Sequence, residues 1–236
     1  MNHYKMLFSR NTVLAAIAGV FLMQSAVFAG PPLLCHPFEI GSAKSLPFQG
    51  PDWSQGQPGY DVSRLVDDTM ALLKTETPVI VRMETLRRAT IYARNNSQVA
   101  DNLLQRLKLR AAAVGNRGPR DPERLMSVFD LGYLAETYRQ AAWISQHAGK
   151  DYWSFKQSEA KDIDGYALVV DAIGNGGGPE MEFAAALITS DKQNPKYKEH
   201  LQKAMAGGKE ESLLASNLNT HFGTVIKATR VGAAAR

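Results

Sequence analysis

From Asp61 to Ile226 the apolar residues of this chain recur three and four positions apart, the spacing of helices that each bury one face. Val62, Leu65, Val66, Thr69, Leu72 and Leu73 make one such stripe, with Asp61 placed to cap it. Thr77-Pro78 reads as a cap followed by a first-turn proline, ahead of Val79, Met83, Leu86, Thr90 and Ala93. A third helix is predicted from Ser97 to about Ala113. After a Gly115–Pro119 loop, Asp121-Pro122-Glu123 opens the longest one, which reaches His147. Further helices are predicted over Ser158–Ile173, from Pro179, from Asn194-Pro195 to Gly207, and from Leu213 to Ile226. Val79-Ile80-Val81 is β-branched, yet the proline before it and the period after it favour helix. The expected class is an all-α antiparallel array of seven to eight helices without strands.

Residues 30–60 break this rule. Prolines 31, 32, 37, 47, 51 and 58 forbid a long helix, while Leu33, Leu34, Phe38, Leu46, Phe48 and Trp53 are too apolar for a free linker. An extended arm that wraps the helical body satisfies both demands. The chain therefore divides into a leader (1–29), the arm (30–60), a helical domain (61–226) and a small basic tail (227–236) expected to fray.

The leader has the form of a signal peptide. Lys5 and Arg10 precede an apolar run from Val13 to Met23, and Val27-Phe28-Ala29 offers a small-residue cleavage site. The run is too short to span a bilayer comfortably. The expectation is a cleaved leader, a periplasmic or secreted protein, and no stable membrane span after cleavage. A lipoprotein is not expected, because Leu34 precedes the only cysteine, Cys35. One cysteine also excludes an internal disulfide, so the core must hold by packing. Lys and Arg total 27 against 23 Asp and Glu, and two of those cations lie in the leader. That near balance does not call for a polyanion, and no nucleic-acid motif is present.

Two short segments echo each other. Asp130-Leu131-Gly132-Tyr133-Leu134-Ala135 and Asp164-Gly165-Tyr166-Ala167-Leu168 place Gly-Tyr pairs 33 residues apart. With Phe183-Ala184-Ala185-Ala186-Leu187-Ile188 and Asn194-Pro195 behind them, residues 121–206 resemble tetratricopeptide-type helical repeats in degenerate form. The helix from residue 122 is longer than a repeat helix, and the second copy lacks the usual Trp and Leu-Gly at its start. The resemblance implies stacked helix pairs and protein or peptide binding on a concave face. It implies no particular site residues.

Cys35-His36 is the sharpest chemical feature. It admits a thiolate beside its base, part of a metal site, or a haem attachment of C-x-x-C-H type. Neighbours in an extended chain point to opposite sides, no further ligand has metal-site spacing, and Pro32 stands where the second haem cysteine belongs. A buried thiol that anchors the arm is the simpler expectation. His147, His200 and His221 are solitary in sequence, and no metal or cofactor is expected. Ten Lys or Arg fall between Arg82 and Arg124 against four acids, which marks Arg87, Arg88, Arg94, Arg117 and Arg120 as a candidate anion-recognising surface. The sequence thus points to an exported, non-enzymatic scaffold for a protein or peptide partner, with an anionic envelope component also in view. The alternative is a Cys35/His36-dependent enzyme or a metal- or haem-binding protein.

Overall fold

A computed structural model describes residues 31–49, 52–148, 154–155, 159–190 and 194–234, with side chains in the last helix described as far as Ile226. The leader lies outside the described residues. The fold is all-α. Eight α-helices occur among the described residues: α1 (Leu65–Leu72), α2 (Val79–Ala93), α3 (Ser97–Ala113), α4 (Pro122–His147), α5 (Gly165–Gly174), α6 (Pro179–Thr189), α7 (Lys196–Gly207) and α8 (Leu213–Ala234). No strand occurs among the described residues. None of their helices is long and apolar enough to cross a membrane.

Helix starts follow from local chemistry. Asp121 accepts from the Arg124 N–H and Asp164 from the Ala167 N–H, each filling an orphan donor of a first turn. The third helix starts at Ser97 as expected, capped by Asn96, whose side chain accepts from the Val99 N–H. Thr77 does not cap α2; its hydroxyl donates back to the Leu72 carbonyl, and Pro78 is the flanking residue. The helix expected over 158–173 is split, with a 3-10 turn at Glu159–Asp162 and a fresh start at Asp164. The last helix, α8, runs on through residues 227–234 of the basic tail.

Two helices form the centre. Every residue of α6 from Met181 to Thr189 is buried. In α2, of residues 79 to 91, only Arg88 is partly exposed. A helix covered on all sides is normally apolar all round, yet α2 carries Arg82, Glu84, Arg87 and Arg88. Its charges must therefore be paired inside the protein. The other helices pack around this centre, α4 on α5 and α6 on α7 most extensively. The two glycines of the sequence echo meet at the α4–α5 crossing: a Cβ at Gly132 would lie 2.7 Å from the Gly165 carbonyl oxygen. Their shared motif thus has a packing cause, the close approach of two backbones.

Candidate functional site

The arm lies against α2, α4 and α8, and side chains of those helices hold its backbone. Gln140 accepts from the Leu33 N–H (2.8 Å), and Glu84 accepts from the Phe38 N–H (3.0 Å). Arg87 donates to the Leu34 and Trp53 carbonyls (3.0 and 3.1 Å), and Arg88 donates to the Leu46 carbonyl (2.5 Å). Asn217 grips one residue twice, accepting from the Glu39 N–H (2.9 Å) and donating to its carbonyl (2.8 Å). Few hydrogen bonds form within the arm, so these groups satisfy backbone that would otherwise be orphaned on burial. Leu33, Leu34, Phe38 and Leu46 are at most 3% exposed. At roughly 1.5–3 kcal/mol for each fully buried side chain, the arm contributes on the order of 6–12 kcal/mol of apolar burial.

Glu84 is the hub. Arg87 reaches it through Nε (2.7 Å) and Nη2 (2.9 Å), and Arg88 through Nε (2.6 Å). Burial works to raise the Glu84 pKa, but both guanidinia and the Phe38 N–H outweigh it and hold the carboxyl below its ordinary value. Phe48 covers the assembly, its ring centroid 4.9 Å from the Arg87 guanidinium carbon.

Cys35 and His36 lie beside this hub. Cys35 is 9% exposed, and burial pushes its thiol up to about 12 despite the nearby Arg87. A thiol in that state is protonated at neutral pH, the inert form. Burial, then Arg87, lowers the His36 pKa. The structure also brings in His221 of α8, whose ring centroid is 5.9 Å from that of His36 and which stacks on Phe38 at 4.8 Å. Neither ring nitrogen of His221 has a well-formed hydrogen bond among the described residues. His147 and His200 are elsewhere, so only one of the three solitary histidines joins Cys35-His36. No group of three or more His, Cys, Asp or Glu is gathered as metal ligands among the described residues.

The five arginines marked as an anion-recognising surface do not share one. Arg87 is buried, Arg88 is mostly covered, and Arg94 donates to the Ser54 carbonyl. Their charge is spent tying the arm to α2. Arg117 and Arg120 remain exposed on the α3–α4 connection, and Arg117 pairs with Glu123 at 2.6 Å.

Two clusters had no sequence signature, because their members are far apart in the chain. Asp130 on α4 receives Arg82 (2.6 Å) and Arg110, and together these join α2, α3 and α4. Beside them opens a cleft of about 350 Å³ lined by Met70, Leu73, Lys74, Glu76, Arg82, Arg110, Glu123 and Met126 among others. The second cluster is a chain of hydrogen bonds across α5, α6 and α7. Glu182 meets His200 Nδ1 at 2.5 Å, and His200 Nε2 meets the Tyr166 hydroxyl at 2.9 Å. Burial raises the Tyr166 pKa, so the phenol keeps its proton at neutral pH. No family model, curated protein or solved structure matches this chain.

Proposed function

We propose that this protein is an exported, non-enzymatic helical scaffold that binds a protein or peptide partner in the cleft beside Asp130. The cleft carries the proposal. Its walls combine adaptable apolar side chains, Met70, Leu73 and Met126, with charged groups of both signs, Lys74, Arg110, Glu76 and Glu123. Arg110 donates to the Leu73 carbonyl (2.9 Å) and to Asp130, and its Nε–H has no acceptor among the described residues. With Lys74 at the same opening and exposed Arg117 and Arg120 nearby in sequence, the site suits an extended peptide with acidic and apolar residues. The protonated, covered state of Cys35 weighs for the scaffold over the thiol-dependent alternative.

The test is a titration of the isotope-labelled protein with the peptide acetyl-Leu-Glu-Leu-Glu-Leu-Glu-amide, followed by amide NMR. Saturable shifts confined to residues around Met70, Lys74, Arg110 and Met126, and lost in Lys74→Glu, are expected. No shifts, or shifts scattered over the surface, would refute the cleft as the site.

A further inference from the structure

We infer that His36 on the arm and His221 on α8 are the two ligands of a soft monovalent metal ion, of the copper(I) or silver(I) class, held between the arm and the helical body. The inference concerns a different surface from the cleft and stands independently of it.

Three observations carry it. First, the two imidazoles meet from opposite sides of one seam, with ring centroids 5.9 Å apart. His36 is half-buried with its Nε2 turned inward out of solvent, and both ring nitrogens of His221 are buried. Second, His221 carries a polar atom that the seam does not satisfy. A neutral imidazole has one N–H and one lone pair. The Pro37 carbonyl faces the ring and can serve only the N–H, since a proline has no N–H of its own to offer the lone pair. The ring neighbours Phe38 and Phe183 bring no polar donor. A ring nitrogen lies about 1.1 Å from its centroid, so a nitrogen of His36 comes no closer to one of His221 than about 3.7 Å, outside hydrogen-bond range. Two metal–nitrogen bonds of about 2 Å bridge a gap of that size. A buried lone pair without a donor costs free energy, and a Lewis acid removes that cost.

Third, the donor set selects the ion. The carboxylate that acts on His221 is Glu84, and it is saturated. Its Oε2 accepts from the Phe38 N–H and Arg87 Nε, and its Oε1 from Arg87 Nη2 and Arg88 Nε. Two neutral nitrogens without a free carboxylate do not suit hard divalent ions, which gather six or more oxygens. Imidazole suits copper, and copper(I) and silver(I) accept two donors in a near-linear arrangement. The adjacent Arg87 cation favours the ion of lowest charge. The half-exposed His36 gives the ion a way in, and once bound it ties the arm to α8 beside the grip of Asn217 on Glu39.

The experiment uses the full-length chain with Cys35→Ala, which removes the thiol as a competing silver ligand. The nitrogen-15-labelled protein is titrated with silver(I) nitrate. Expected is a tightest site of one ion per chain, with one ring nitrogen of His36 and one of His221 shifting together in long-range proton–nitrogen NMR spectra. In the same background, His36→Phe and His221→Phe should each weaken binding at least about tenfold, the lower end of the loss seen when even a ligand's supporting group is removed. Copper(I), measured by competition with bicinchoninate, should follow the same order. No binding, shifts confined to other histidines, or either variant binding as tightly as its parent would overturn the inference. Where a variant fails to fold by circular dichroism, the ring-nitrogen shifts of the parent decide alone.

Discussion

Acid should loosen this protein through one histidine, and the sign and size follow from where that ring sits. His221 is 7% exposed, stacked on Phe38 and edge-on to Phe183 at 5.6 Å. Burial first, then the neighbouring His36 and Arg87, disfavour its cation, while Glu84 and the Pro37 carbonyl favour it; the outcome is a pKa lowered from 6.5 to about 4. The unfolded chain therefore takes up a proton at higher pH than the native one. The stabilisation is fully present above 6.5 and is lost as pH falls from about 6.5 to about 4. At about 1.36 kcal/mol per unit, the full loss is about 3 kcal/mol, of which about 2 kcal/mol falls between pH 7 and 4.5. Replacing the ring with a group that cannot charge, His221→Phe, should remove this part of the profile while keeping the aromatic packing. Urea unfolding of both proteins at pH 7.0, 5.5 and 4.5 separates the effect from carboxylate titrations common to the two. The unmodified protein should lose about 2 kcal/mol more than the variant over that interval. Parallel pH profiles would refute the reasoning.

Two substitutions test other parts of the account. Arg87→Met should destabilise the fold by about 3–5 kcal/mol, because it leaves the buried Glu84 carboxylate short of its main partner; a urea midpoint shift worth less than about 1 kcal/mol would contradict the role given to that pair. Gly132→Ala would bring a methyl group to 2.8 Å from Leu168 Cβ and 2.7 Å from the Gly165 oxygen. It should cost about 1–3 kcal/mol by thermal unfolding, as an overpacked crossing does, and unchanged stability would mean that α4 and α5 approach less closely.

Much of the fold was legible because helix periodicity and start signals are local. Asp121-Pro122 and Asp164 mark their helices by side chains that reach only three residues along. The all-α class and the extended arm follow from proline placement and stripe spacing alone. What escaped the sequence depends on distant partners. Arg87 and Arg88 look like solvated surface charge because nothing near them in sequence shows that an arm about 40 to 50 residues earlier covers them. His200 reads as one member of a charged helix, since Glu182 and Tyr166 lie 18 and 34 residues away. Cys35-His36 is conspicuous in the chain, but its surroundings come from Arg87 and from His221. The late start of α5 at Gly165 is hard to read because the apolar period already runs through the 3-10 turn at Glu159–Asp162, and no proline separates the two.

The central claim is that the arm is gripped by its backbone as firmly as a core helix is by its own ladder. Amide hydrogen exchange measured residue by residue tests this most directly. The Leu33, Phe38 and Glu39 N–H groups, held by Gln140, Glu84 and Asn217, should exchange as slowly as amides in the middle of α2, on the timescale of global unfolding. Exchange of those three at the rate of an unstructured peptide, with α2 still protected, would contradict the account.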